Sequence, residues 1–484
     1  MIKNKNGQLT LQVLVFGSIA VVLIGGFIVW SNLVVRNAFR GEKENLAFSI
    51  AEAGVEYYRW HLAHAPTDYQ DGTGAAGPYT HDYKDKDGNI LGQFILDITP
   101  PAIGSTVVTI TSTGVVTADR PYTKIIKVRL GQQSLAKYAF LTSAFNRFGA
   151  GTEVFGTIHS NDGIRFDGLA HNLVTSAVSE FDDPDHSGGK EYGAHTHVNI
   201  PPETGINNSF RPLEATPTPM MSRPDVFQAG RQIGVPRQDF TGLTQDLSAI
   251  RTDASSSGIY YPSSTAYGYH LVLGGNSFDL YRVTELTAQP YLCVAPSSQV
   301  GAQWGTWSVA SQLKIATSTP YPVNGLMFFE DNLWVDGQIN NARLTIASGR
   351  FPLGSATSSN ITVNNDLLYT NYDGKDVISL IAQYNVNIGM VSANVIRVDG
   401  ALVAQNGRVG RFFYSYRCAP YDDRQTITTY GMIASSLRYG FAYTDGSGYA
   451  IRNLNYDSNL LYGPPPSFPL TTDQYSLLSW DEIR

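Results

Sequence analysis

The densest group of metal-ligating side chains in this sequence lies between residues 159 and 197, which hold five of the nine histidines. His195-Thr196-His197 places two imidazoles on the same face of a strand, because strand side chains alternate. The loop Asp183-Pro184-Asp185-His186 adds carboxylate oxygens, and imidazole nitrogen with carboxylate oxygen suits divalent transition metals. The sequence therefore nominates a metal site at His195, His197, Asp185 and His186. The histidines of the stretch are His159, His171, His186, His195 and His197, and its acidic residues include Asp162, Asp167, Asp182, Asp183, Asp185 and Glu191.

The same composition also fits a structure without metal. An acidic, solvated loop can hold histidines that hydrogen-bond to neighbouring groups or to water. Spacing alone does not separate this alternative from a metal site.

Enzymatic signatures are otherwise absent from the sequence. It contains no Gly-x-Ser-x-Gly elbow, no His-Glu-x-x-His pair and no Walker loop. We therefore expect no enzyme activity and no cofactor. Carboxylate pairs for glycoside chemistry stay open, because such pairs are formed in space and not in sequence.

The composition indicates which elements must position these side chains. Hydrophobic residues make up 43% of the 484 residues and charged residues only 15%, with 28 tyrosines and 22 phenylalanines. This balance favours β-structure with many turns. We predict an α+β fold with a long N-terminal helix, a small antiparallel sheet and a mainly β head.

Short apolar units separated by Gly, Asn and Asp recur in the head, first from Ser134 to Glu180 and again after residue 320. Strands this short, without helical periodicity, predict a parallel β-helix. A β-sandwich or a curled mixed sheet is the alternative, because no strict repeat period can be counted. The predicted segments are 1–7 leader peptide, 8–65 membrane and assembly helix, 66–133 antiparallel meander with strand patterns from Gly92 to Leu130, 134–180 first β-helix-like part, 181–320 loop-rich insertion with a hairpin turning at 274–276, 321–419 β-helix-like core, and 420–484 C-terminal hairpin and capping segment.

The apolar run Val13 to Trp30 contains no charged residue. Its length corresponds to about 27 Å of helix, close to the thickness of the hydrocarbon core of a bilayer. Apolar residues continue at helical spacing beyond it, so we predict one helix from about Leu9 to His64, ended by Pro66. A cleavable signal, an uncleaved anchor and a leader cleaved before the apolar run are the three identities open to it.

The residues around this run carry a resemblance. Lys3 and Lys5 precede Gly7, Leu9-Thr10-Leu11 and the apolar run follow, and Leu46–Tyr58 contains Ala51-Glu52-Ala53-Gly54. This pattern resembles the leader and first helix of type IV prepilins and pseudopilins, and the likeness covers about the first quarter of the chain.

The resemblance implies cleavage by a prepilin peptidase between Gly7 and Gln8. It also implies assembly with other pilin-like subunits through a helix that includes Gln12 and Ala51, Glu52, Ala53 and Gly54. The family usually has glutamate where this chain has Gln12, and often phenylalanine where it has Gln8. A buried carboxylate can pair with a neighbour's amino terminus, whereas an amide cannot. We therefore expect a minor or tip-like subunit.

The net charge and the two cysteines limit which partners and which compartment are possible. A net charge of −7 and a pI near 5.7 exclude electrostatic attraction of the chain as a whole to nucleic acid. The prepilin resemblance places the helix in the inner membrane and the bulk outside the cytoplasm, at the cell surface or in a pilus after assembly. In that compartment Cys293 and Cys418 either form one disulfide or remain two buried thiols.

Two functions remain at the level of sequence. The first is a structural subunit of a type IV pilus-like or pseudopilus filament, with an exposed β-rich head for adhesion. The alternative is a membrane-anchored, extracytoplasmic β-helix that binds or acts on surface glycans. A cleft lined by aromatic side chains and a close carboxylate pair would favour the alternative.

Overall fold

The computed structural model describes residues 6–102, 104–117, 122–299, 303–352, 358–471 and 474–483. The chain divides into two compact units: Met1–Pro101, Val107–Gly131 and Asp473–Arg484 form the first, and Ala102–Thr106 and Gln132–Thr472 the second. The first combines a long helix with an antiparallel sheet and the second is mainly β. This confirms the predicted α+β composition.

The elements are numbered in chain order. The helices are α1 Asn6–His64 and α2 Thr241–Ser257, with short 3₁₀ turns at Leu135–Lys137, Pro212–Glu214, Ser297–Gln299, Tyr416–Cys418 and Ser458–Leu461. The described strands are β1 Tyr79–Lys84, β2 Ile90–Thr99, β3 Val107–Val116, β4 Tyr122–Gly131, β5 Phe140–Thr142, β6 Asn146–Phe148, β7 Thr152–Phe155, β8 Ile158–Ser160, β9 Ile164–Phe166, β10 Leu169–Ala170, β11 Val174–Ser176, β12 Glu180–Phe181, β13 Glu191–Tyr192, β14 Ala194–His195, β15 Arg231–Gln232, β16 Ile259–Tyr261, β17 Gly268–Gly275, β18 Ser277–Leu286, β19 Val309–Pro320, β20 Leu326–Phe329, β21 Leu333–Ile339, β22 Arg343–Ser348, β23 Ile361–Val363, β24 Leu367–Tyr369, β25 Val377–Ala382, β26 Val386–Ile388, β27 Val395–Ala404, β28 Val409–Arg411, β29 Asp423–Ser435, β30 Gly448–Tyr456 and β31 Ser476–Ile483.

Helix α1 runs without interruption for 59 residues. It ends two residues before Pro66, because the residue before a proline avoids helical geometry. Residues 9–40 are exposed throughout, and within the described chain α1 is long and apolar enough to cross a membrane. The C-terminal part of the same helix is instead amphipathic and half-buried.

That C-terminal part packs on the five-stranded antiparallel sheet β1-β2-β3-β4-β31. The helix backbone approaches the sheet closely at the small residues Ala47, Ala51 and Gly54. The approach is so close that a Cβ on Gly114 in β3 would lie 2.1 Å from the carbonyl oxygen of Ala47. Tyr58 is fully buried in the same interface. The small residues thus set how closely helix and sheet pack.

Parallel strand pairs dominate the second unit and arrange most of its strands in three ladders. Ladder 1 is β16-β20-β22-β25-β27-β29-β5-β8-β11-β15, ladder 2 is β17-β21-β23-β26-β28, and ladder 3 is β21-β24-β27-β29-β30-β7-β10. Strands β27 and β29 pass from ladder 3 to ladder 1 at Gly400 and Gly431, which are paired and have φ of 145° and 149°. A Cβ at Gly431 would lie 2.0 Å from the carbonyl oxygen of Gly400, so these corners require glycine.

The order of strands along ladder 1 differs from their order in sequence. The ladder runs from β16 to β29 and then continues with β5, although Ile433 and its partner Phe140 lie almost 300 residues apart. Strands β5, β8, β11 and β15 complete it, and α2 then leads the chain back to β16. Leu247, Ile250 and Ala254 of α2 are buried in a core cluster with ladder-1 residues such as Leu326 and Val403.

This arrangement corrects the predicted insertion at 181–320. Strands β16 and β17 belong to ladders 1 and 2, so this part of the segment is built into the β-structure. The predicted hairpin is confirmed as β17 and β18, which pair in antiparallel with Gly275 (φ 64°) in the turn. What the sequence did not predict is the pairing of β16 with β20 and of β17 with β21, because such long-range pairings have no local signal.

The C-terminal segment 420–484 contains the predicted hairpin: Ala442 and Gly448 form an antiparallel bridge across the turn at 443–447. This hairpin lies between strands β29 and β30, which pair with each other in parallel. The end of the segment differs from the predicted cap, because strand β31 pairs with β4 of the first unit.

Cys293 and Cys418 form a disulfide, with a Cα–Cα distance of 4.7 Å. Both cysteines are fully buried in a small cluster with Met390, Phe412 and Tyr414. Of the two alternatives that the sequence left open, the structure has the bridge.

Candidate metal centre

The candidate metal centre is built from residues 183–197 and is positioned by two short pairings. Strands β12 and β13 pair in antiparallel, and the chain between them forms the turn that holds Asp183 and His186. Strand β14 pairs in parallel with β9, His195 lying opposite Arg165. These pairings bring three imidazoles and two carboxylates together.

Three Nε2 atoms converge on two carboxylate oxygens. Oε2 of Glu191 lies 3.1 Å from His197 Nε2, 3.2 Å from His186 Nε2 and 3.3 Å from His195 Nε2. Oδ2 of Asp183 lies 3.5 Å from His195 Nε2 and 3.9 Å from the other two. The side chains are fully buried, except for His186, which is 5% exposed.

The opposite ring nitrogens fix the tautomers of two of these histidines. Nδ1 of His195 lies 2.9 Å from the carbonyl oxygen of Tyr192, and Nδ1 of His197 lies 2.7 Å from that of Asn207. A carbonyl oxygen only accepts, so both Nδ1 atoms donate and carry hydrogen. Nδ1 of His186 is buried without a hydrogen-bond partner among the described residues.

The two carboxylates are held ionised. Burial by itself would raise the pKa of Asp183, but the neighbouring imidazole of His195, the backbone N–H of Asp185 and the charge of Arg165 hold it below its usual range. The pKa of Glu191 is likewise lowered: burial opposes this, whereas the neighbouring rings of His197 and His195 and the backbone N–H of Arg211 favour it. The cluster therefore contains two buried negative charges.

Comparisons with known proteins identify a weak structural likeness and no matching family. Among solved structures the chain is similar to the competence-associated pilin ComZ from Thermus thermophilus, with 11% identity over 91% of this chain and 98% of that chain, and a TM-score of 0.29. No family model and no curated protein matches the chain. At this identity and TM-score, the likeness to ComZ does not establish a shared fold or function.

Of the residues nominated from sequence, the structure brings together His186, His195 and His197. Asp185 lies outside the cluster: its carboxylate faces Arg147 at 3.2 Å and Arg438 at 3.3 Å near the surface. Its backbone N–H donates to Asp183, so it supports the turn without reaching the imidazoles.

Asp183 and Glu191 replace Asp185 as the carboxylates of the cluster. Glu191 could have been found from the sequence, because positions 191, 195 and 197 share the even spacing of one strand face. Asp183 had no such signal, since a loop residue takes its orientation from the turn.

The predicted assembly and cleavage residues lie on α1. Gly7 and Gln8 are in the helical backbone, and Gln12 is exposed in the apolar half. Ala51 is buried against the sheet beside Gly54, whereas Glu52 on the opposite side is exposed. The roles assigned to these residues stay predictions.

Proposed function

We propose that this chain is a membrane-anchored, pilin-like structural subunit that enters a surface filament through α1. The observation that carries the proposal is the division of α1 into two parts. Residues 9–40, which include the uncharged run Val13 to Trp30, are exposed, whereas Ala47, Ile50, Ala51 and Tyr58 pack on the antiparallel sheet.

An exposed apolar helix must be covered by another apolar phase. Phe16, Val22 and Phe27 are 68%, 72% and 64% exposed. Transfer of each side chain from water into an apolar phase is favourable by about 1.5–3 kcal/mol. A bilayer covers such a helix before assembly, and neighbouring helices cover it afterwards. The prepilin-like leader motif supports this order of events.

The second unit is the exposed head of the proposed subunit. Its three parallel ladders and the glycine corners at Gly400 and Gly431 support a parallel β-helix, in which each coil contributes one strand to each ladder. A head of this size would crowd the neighbours in a homopolymer. We therefore assign the chain a minor or tip position and an adhesive role, with other pilin-like subunits as partners.

The proposal predicts a mature N-terminus at Gln8. Mass spectrometry of the protein from native cells, or from cells that co-express a prepilin peptidase, should show loss of residues 1–7. Gly7→Leu should retain the leader, because the resemblance implies a peptidase that recognises glycine. Gly17→Ala, in the exposed helix, is the control and should be cleaved like the wild type. An intact Met1 in native cells, or isolated filaments that never contain the chain, would contradict the proposal.

A second prediction concerns Gln12. Gln12→Glu should increase the share of the chain found in sheared filaments, because a carboxylate can pair with the new amino terminus of a neighbour whereas an amide cannot. Gln12→Leu is the matched control and should not increase it. Equal incorporation of the wild type and the glutamate variant would argue against helix-mediated pairing at this position.

A further inference from the structure

We propose that Asp183, His186, Glu191 and His197 bind one divalent transition-metal ion of the Zn²⁺ type, with His195 as the nearest further imidazole. This site is distinct from α1, and the inference stands whether or not the chain enters a filament. The four ligand atoms lie within 4.8 Å of one another.

The first support is the arrangement of hydrogen on the rings. His197 donates from Nδ1 to a carbonyl, so in the neutral ring the lone pair of Nε2 faces Glu191 Oε2 at 3.1 Å. Two lone pairs at this distance repel each other unless a cation lies between them. His195 repeats the arrangement, with Nδ1 bound to a carbonyl and Nε2 3.3 Å from the same oxygen.

Protons alone do not account for the cluster. A carboxylate oxygen has two lone pairs, yet three Nε2 atoms approach Glu191 Oε2 within 3.3 Å. One divalent ion between these groups would instead accept the lone pairs of the imidazoles and of both carboxylates at once.

Each nitrogen–oxygen pair of the cluster is close enough to share one ion. Two ligands on opposite sides of Zn²⁺ are at most about 4.2 Å apart, given metal–ligand bonds of about 2.1 Å. The six separations between the Nε2 atoms and the two carboxylate oxygens run from 3.1 to 3.9 Å. Imidazole ligands select Zn²⁺, Co²⁺ or Ni²⁺ over Ca²⁺ and Mg²⁺, which prefer oxygen.

Hydrogen bonds of the surrounding chain hold the ligands. The carbonyl of Asn207 orients His197, and the backbone N–H of Arg211 donates to Glu191 Oε1 at 2.7 Å, which leaves Oε2 for the ion. The strands here are only two residues long. The ion would therefore fix a segment that has little regular hydrogen bonding of its own.

The test uses the full-length chain in detergent, treated with a chelator, refilled with Zn²⁺ or Co²⁺ and dialysed. We expect about one ion per chain by elemental analysis, a Co²⁺ visible spectrum of imidazole and carboxylate coordination, and a thermal midpoint several degrees above that of the chelated protein. Failure of the wild type to retain either ion would overturn the proposal, and this measurement needs no variant.

Variants locate the ion. The double variant Glu191→Gln and His197→Ala should retain less than a tenth of the wild-type metal and lose the Co²⁺ spectrum. Asp185→Asn and His171→Ala are the controls: Asp185 lies outside the cluster and His171 pairs with Glu153, so both should bind like the wild type. Full metal content in the double variant would place the ion elsewhere and refute the site.

Discussion

Gly114→Ala should unfold the first unit while leaving the second unit folded. The added Cβ would lie 2.1 Å from the carbonyl oxygen of Ala47 and 2.5 Å from the backbone nitrogen of Ala51. Both atoms belong to the backbone of α1, which cannot rotate away as a side chain would. We expect the substitution to cost more than about 3 kcal/mol, at or above the upper end of ordinary overpacking.

Hydrogen exchange measured by mass spectrometry separates this result from a general loss of stability. Amides of residues 46–62 and of β3 should lose protection, whereas those of β25 and β27 in the second unit should keep it. Gly41→Ala is the matched control, because a Cβ there meets nothing within 4 Å and alanine favours the helix by about 1 kcal/mol. Unchanged protection of residues 46–62 in the Gly114 variant would show that the helix does not lie as close to the sheet as described.

This interface also shows why the first unit could be predicted well from the sequence. Its helix and strands β2 to β4 follow one another and pair with their sequence neighbours, so local periodicity is sufficient. Strand β1 has no strand pattern of its own, since Thr80, Asp82 and Lys84 make Tyr79–Lys84 mostly polar. Its pairing with β2, and not its own pattern, makes it a strand.

For the second unit, the sequence predicts the kind of strands but not how they pair. Short apolar strands and glycine corners were visible, but the register joins Phe140 to Ile433, and no local pattern encodes that pairing. The ladder begins at β16 and passes from β29 to β5, so a search for a period along the chain crosses from one end of the ladder to the other. Even where ladder and chain order agree, the coils differ in length: Thr345 pairs with Leu326 before it and with Ser379 after it, at unequal separations, so no repeat can be counted.

The metal cluster could be predicted only in part, again because long-range contacts have no local sequence signal. His195 and His197 lie two residues apart, and their spacing alone placed them together. The choice of Asp183 over Asp185 depends on a turn in which Asp185 meets Arg147 and Arg438, the latter more than 250 residues away. Long-range ion pairs of this kind decide which carboxylate faces inward.

Removing the Cys293–Cys418 disulfide should destabilise the second unit by about 4 kcal/mol. The bridge joins residues 125 apart, and closing a loop of this length restricts the unfolded chain by about 4–5 kcal/mol in the chain-entropy description. Cys→Ala at both positions keeps the site apolar, which matters because both side chains are fully buried. Urea unfolding, followed by the fluorescence of nearby Trp304 and Trp307, measures the loss.

Reductant supplies the matched control for this prediction. Dithiothreitol should lower the unfolding midpoint of the wild type toward that of the double variant and leave the double variant unchanged. The segments should still meet after reduction, because Trp304 donates to the carbonyl of Phe413 at 3.0 Å and Tyr414 donates to that of Gly305 at 2.8 Å. The reduced protein should therefore fold to the same structure with lower stability. A wild-type midpoint that does not respond to reductant would show that these contacts and the buried cluster, and not the bridge, provide the stability of this region.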